Sequence, residues 1–255
     1  MRYRTVSEAR KLLGLRLVLT MGVPGPWGEA AKAVFHVKGI AFTPVGQHSG
    51  GDNVDLVEWT GIRNAPVAVL DTEKPVDRWL DILMLAERLA PQTSLLPVAL
   101  EERALVVGLG HEICGERGFG WCRRAALIAD VPPQTDPGTE KAFVRLREAY
   151  CRDSAMVNAE ARVIDILRML ARRLHVQRAL GSHYLVGTTL TAVDLYWACF
   201  AILVCPLPEA VNPMPAEVRE RYSSSSSSLE AAKDPILFEH RDFIYSHHLQ
   251  LPLDF

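Results

Sequence analysis

The sequence predicts an α/β N-terminal domain followed by an all-α C-terminal domain. Three observations carry that prediction. Strand and helix signals alternate over residues 1–90, long helical patterns fill residues 98–255, and Pro91–Pro97 between them has the composition of a linker. With 255 residues, 49% of them hydrophobic, the chain can bury the cores of two such units.

Ser7 is expected to cap a short helix running to Leu13 and closed by Gly14. Leu15-Arg16-Leu17-Val18-Leu19 alternates apolar and basic and then turns wholly apolar, the pattern of a central strand. Met21–Pro26 is a loop dense in Gly and Pro. Pro26 suits the first position of a helix, where its missing N–H is no loss. Trp27, Ala30, Ala31, Val34 and Phe35 then recur on one helical face, with Lys38 in the last turn and Gly39 free to adopt the left-handed closing conformation. A second strand is expected over Ile40–Val45, a polar loop over Gln47–Asp52 and a short helix over Val54–Trp59. A third strand over Pro66–Leu70, a fourth of only two or three residues and a helix from about Asp77 to Leu89 complete the series. This β-α-β-α-β-β-α order is that of the thioredoxin-like fold.

In the second half, helices are expected over Glu101–Glu116 and Glu140–Leu174. Thr191-Ala192-Val193-Asp194 has the form of a capping box, in which hydroxyl and carboxylate satisfy the first amides of a helix. Leu190 and Leu195 bracket it as a hydrophobic staple. From Ala192 to Cys205 the helix is apolar on all sides apart from Asp194, so it should be buried, and the buried carboxylate needs the capping amides as donors. Thr191 and Asp194 are therefore assigned a structural role. The six-serine run Ser223–Ser228 has nothing apolar to bury and reads as a loop.

Bulk properties exclude several functions. A net charge of -2 with scattered Lys and Arg gives no field for nucleic acid or an anionic membrane. The longest apolar stretch, Leu195–Leu207, is too short to span a bilayer. Five widely spaced cysteines fit reduced thiols, and Met1–Lys11 lacks the apolar core of a signal peptide, so a cytoplasmic protein is expected. His111-Glu112 lacks the second His of a zinc motif, and no metal site is expected.

Over roughly residues 15–205 the sequence resembles the glutathione transferase superfamily. The resemblance rests on the strand–Pro-loop–helix unit Leu15–Gly39, on Asn64-Ala65-Pro66-Val67, on Tyr184-Leu185-Val186-Gly187 and on the Thr191–Asp194 box, which matches the family's buried capping box. It implies a cis peptide before Pro66 and glutathione as co-substrate, without a metal. Glutathione would be held by the backbone of Ala65, by Gln47, His48, Arg63 or Asn64 at its glycine carboxylate, and by Asp77-Arg78 at its γ-glutamyl carboxylate. A small hydrophobic electrophile as second substrate and a homodimer are implied too. Trp121 and Tyr150, with Arg123 and Arg124, are candidates for the electrophile pocket.

The family's Tyr, Ser or Cys that stabilises the glutathione thiolate is missing: Gly22–Gly28 contains none of these, and no Thr. Three readings follow. The helix N-terminus itself, with the amides of Trp27 and Gly28, stabilises the thiolate. Thr20, or Tyr3 folding back, supplies a hydroxyl. Or the protein binds without turnover, as a transferase-like binding or regulatory protein. The first is preferred.

Overall fold

Leu17, Val18 and Leu19 are buried on both faces of Leu15–Thr20, which makes this segment the central strand, β1, of a three-stranded sheet in the computed structural model. The structure describes residues 1–129, 131–151 and 158–255. Strand β2, Thr43–Gln47, lies parallel to β1 with Arg16 opposite Thr43 and Thr20 opposite Gln47. Strand β3, Val67–Leu70, lies antiparallel on the other side, with Leu15 opposite Leu70. Arg16 is only 2% exposed. Its guanidinium donates to the carbonyls of Gly14 (2.6 Å) and Asp71 (2.7 Å) and sits over the Trp59 ring, which lets a basic residue occupy a central strand.

Several element boundaries differ from the sequence expectation, each for a local reason. The first helix, α1, is the single turn Val6–Ala9, capped by Thr5 and not by Ser7. Thr5 and Glu8 form a reciprocal capping box, and Ser7 has no acid three residues on. Helix α2, Pro26–Val37, closes on Gly39 at φ +65°, and the Ile40 amide turns back to the Phe35 carbonyl. That helix-closing bond occupies Ile40, so β2 starts at Thr43 rather than Ile40. Helix α3 is Val54–Thr60. The expected fourth strand shrinks to Val76, whose N–H and C=O both pair with Ala68. With Val76 held there, Asp77 and Arg78 remain in the connection and α4 runs Trp79–Leu89.

The linker is anchored: the Lys38 ammonium meets Glu87 (2.8 Å) and the Thr93 carbonyl (2.6 Å), and the Glu87 carboxylate accepts from the Leu95 amide. Beyond it lie α5 (Leu100–Cys114), α6 (Phe119–Ala129), α7 (Pro137–Tyr150) and α8 (Ala159–Ala179). The long pattern Glu140–Leu174 thus belongs to two helices, and residues 152–157 within it lie outside the described residues. Helix α9, Ala192–Phe200, continues into a 3-10 turn, Ala201–Leu203, and every residue of both is buried.

The Asp194 carboxylate, 0% exposed, closes the capping box on Thr191 (N–H 2.9 Å, hydroxyl 2.8 Å) and also accepts from the Leu185 amide (2.7 Å). His240 Nε2 lies 3.0 Å from Oδ1, the oxygen that also accepts from Leu185, an interaction from 46 residues away on α12, Pro235–His248. The serine run does not form one loop. Ser223 ends α10 (Ala216–Ser223), and Ser226 caps α11 (Ser227–Glu230) by accepting from the Leu229 amide. Leu229, at 0% exposure, is the apolar anchor that holds the run in place.

Candidate functional site

The C-terminal end of β1 and the N-terminus of α2 open onto a cleft whose far wall is helical. It is lined by Thr20, Val23, Gly25, Trp27, Gly28 and Glu29 on one side, by Gln47, Ser49, Asn64 and Ala65 along one edge, and by Arg124, Leu146 and Tyr150 opposite. Tyr3, Leu19 and Phe255 complete the lining. Of the residues singled out in the sequence, Thr20, Trp27, Gly28, Gln47, Asn64 and Ala65 meet here. Pro66, preceded by a cis peptide, lines a smaller cavity between α2 and α4 with Trp79 and Cys114. Asp77 and Arg78 stand outside the cleft at the start of α4, and Arg78, not Asp77, is the residue at its cap position. His48 and Arg63 are likewise not part of the lining.

Gly25 precedes α2 with no side chain capping the first turn, and Pro26 contributes no N–H. The amides of Trp27 and Gly28 therefore have no side-chain acceptor and stand at the positive end of the helix beside the cleft. At Gly28 a Cβ would lie 3.2 Å from Leu19 Cδ2, so the small residue lets helix and strand approach. The Thr20 hydroxyl accepts from Gln47 Nε2 (2.6 Å), and Gln47 Oε1 accepts from Asn53 Nδ2 (2.9 Å). Gln47 is thereby held between Thr20 and Asn53. Asn53, at φ +44°, also donates to the carbonyls of His48 and Arg63, tying the two loops at the cleft edge together. Its left-handed conformation, which Asn tolerates, was not an element of the sequence reading.

Trp27 joins the two halves of the molecule. Its indole N–H donates to the Cys114 carbonyl (2.8 Å), and its ring meets Phe200 edge-on at 4.9 Å and Tyr150 at 6.3 Å. Trp121 packs on Tyr150 at 4.7 Å, behind the cleft wall. Arg123 and Arg124 part company: Arg123 is buried, with its donors on the carbonyls of Leu203 (3.0 Å) and Ser224, whereas Arg124 lines the cleft. The loop before α3 is tied to α7. Asp52 pairs with Lys141 (3.1 Å) and Arg145 of α7, and Gly50, at φ +69°, lies against Ala142 where a Cβ would not fit.

Tyr3 reaches the cleft because Arg4 pairs with the outer edge of β2, its N–H on the Pro44 carbonyl (2.9 Å) and its C=O on the Gly46 amide (3.1 Å). Burial, and secondarily Glu29, push the Tyr3 phenol up to about 12, so it stays protonated, and its buried hydroxyl has no partner among the described residues.

Glu29 is buried beside Lys32, 2.8 Å away, and burial raises its carboxyl above the usual range against the opposing pull of that ammonium. A raised folded-state value means the native protein binds this proton more readily than the unfolded chain. Stability from this group is present at low pH and lost as pH rises through the folded value. Glu29→Gln is therefore expected to melt higher than the parent at about pH 8, the difference closing near about pH 4, as read by thermal unfolding of both proteins at both values.

Among the described residues, no group of three His, Cys, Asp or Glu side chains could hold a metal ion, and no helix is long and apolar enough to cross a membrane.

No family model and no curated protein matches the chain in sequence. In structure it is similar to a glutathione S-transferase from Methylobacterium radiotolerans in complex with glutathione sulfonate (18% identity, 91% of each chain covered, TM-score 0.60). A glutathione S-transferase from Methylobacillus flagellatus with glutathione bound is similar at 14% identity, 92% of this chain and 96% of that one covered, and a TM-score of 0.63. A β-etherase from a Sphingobium species is similar at 18% identity, 92% and 96% covered, and a TM-score of 0.62. The mixed sheet, its helices and the helical layer that follows are thus those of the glutathione S-transferases: this chain has a thioredoxin-like domain followed by an all-α domain, in the glutathione transferase fold.

Proposed function

We propose that this protein is a glutathione-dependent transferase that joins the glutathione sulfur to a hydrophobic electrophile. The observation that carries the reading is the pair of uncapped amides, Trp27 and Gly28, at a cleft also lined by Thr20 and Ala65. Glutathione would lie along Ala65 and Pro66, its glycine end toward Gln47 and Asn64 and its γ-glutamyl end extending beyond the cleft lining to Asp77 and Arg78, where the Arg78 guanidinium would meet the carboxylate. The thiol would lose its proton, the sulfur would attack the electrophilic carbon, and the leaving group would depart with the bonding pair. A helix terminus contributes about 0.3–2 kcal/mol, or about one pKa unit on the bound thiol. Tyr3, protonated and without a partner among the described residues, is a second donor for the same sulfur. The relatives of this fold crystallised with glutathione or its sulfonate support the choice of ligand.

A second reading is a transferase-like binding or regulatory protein without turnover. It is favoured by the lack of Tyr, Ser, Thr or Cys in Gly22–Gly28. Retention on immobilised glutathione together with conjugation of a generic aromatic electrophile is the expected result for the first reading. Thermal stabilisation by glutathione without conjugation would select the second, and neither would sink both. An ultraviolet titration of the bound thiolate should show a shift of about one unit, most of it retained in Tyr3→Phe. A homodimer belongs to the same proposal and is tested by light scattering.

A further inference from the structure

Arg124 is a cation without a counter-ion among the described residues. It makes no hydrogen bond or ion pair among the described residues, and its Nε is buried with no partner. Its neighbour Arg123 shows what a structural arginine does in this helix, placing its donors on the carbonyls of Leu203 and Ser224. Arg124 instead stacks, its guanidinium 5.3 Å from the Trp27 ring centre and 5.7 Å from that of Tyr150. The two ring centres, 6.3 Å apart, lie toward the same side of it. A guanidinium carries five N–H donors in its plane, and among the described residues none of Arg124's meets an acceptor. Glu29, the carboxylate in the same cleft lining, is already paired with Lys32.

Holding a cation out of water is unfavourable unless an anion meets it. A planar carboxylate matches a guanidinium in bidentate fashion. The apolar neighbours Val23, Leu146 and Tyr150 would take the body of the same molecule. We propose that Arg124 is a specificity determinant for a second substrate that carries a carboxylate on an apolar, flat body. The assignment rests on the glutathione reading above, because it places this acid beside the sulfur held at the N-terminus of α2.

The test uses two product analogues that differ in one group, S-(para-carboxybenzyl)glutathione and S-(para-methylbenzyl)glutathione, titrated calorimetrically into the full chain. The parent is expected to bind the acid about tenfold or more tightly than the methyl compound, the scale of one charge-assisted pairing. Arg124→Met should abolish that preference while leaving the methyl compound's affinity in place, and Arg124→Lys should restore part of it. Equal binding of both analogues by the parent overturns the proposal. So does an equal loss of both in Arg124→Met, which would assign the residue to a carboxylate of glutathione itself or to packing. If neither analogue binds, the glutathione reading is what has failed. The free acid para-methylbenzoate is then compared with its neutral amide, and an Arg124-dependent preference for the acid upholds the anion site, whereas no preference overturns it.

Discussion

Asp194→Ala is expected to destabilise the protein by about 3–5 kcal/mol, read as a shift in the denaturant midpoint. The carboxylate is fully buried and accepts hydrogen bonds from the Leu185 amide, the Thr191 amide and the Thr191 hydroxyl, with His240 3.0 Å from Oδ1. Truncation leaves all of these without an acceptor in a region water does not reach. Each buried orphan costs about 1–3 kcal/mol, though neighbours in one network do not add fully. A loss of this size is a large part of an ordinary domain's stability of about 5–15 kcal/mol. Asp194→Asn keeps one acceptor oxygen and should lose less. His240→Ala should cost less again, since it removes one donor and leaves the capping box closed. If Asp194→Ala unfolds at the parental midpoint, the box is dispensable and its structural role is wrong.

Trp27→Ala is expected to lower stability by about 3 kcal/mol and to weaken glutathione binding as well. The ring is in contact with Phe200 and Tyr150, and its N–H satisfies the Cys114 carbonyl across the boundary between the two halves. Gly120 packs so close to Phe200 and Trp27 that a Cβ there would lie 3.2 Å from the indole. Removing the indole opens a cavity at the first turn of α2, the turn whose amides face the cleft. Trp27→Phe retains most of the apolar contact and loses only the hydrogen bond, so it should recover more than half of the stability. Calorimetry with glutathione separates the effects: unchanged affinity in Trp27→Ala would show that the first turn does not depend on the ring.

The parts of the molecule legible in the sequence are those written locally. Pro26 at a helix start, Gly39 at its end and the Thr191–Asp194 box each rest on residues within a few positions of one another. The same is true of β1, whose apolar run marks a strand buried on both sides. What was not legible depends on distant partners. His240 reaches Asp194 only because α12 packs on α9. Glu29 reads as a surface residue until its helix is laid into the cleft, and Arg123 and Arg124 look alike until one is seen buried among carbonyls and the other stacked on rings. The anchoring of the serine run needed the core that buries Leu229. Tyr3 entered the cleft through a backbone pairing that no side-chain pattern announces.

That pairing has a counterpart across the sheet. The outer edge of β2 is met by Arg4, and the outer edge of β3 by Val76, each through two main-chain hydrogen bonds at a single residue. Pro44 in β2 carries no N–H to offer a neighbouring chain. Both borders are therefore blunted by the protein's own backbone, the protection that keeps small open sheets from templating aggregates. A peptide partner would have no free strand edge to extend at these positions, and recognition would fall to the side chains of the cleft and to the helical surface.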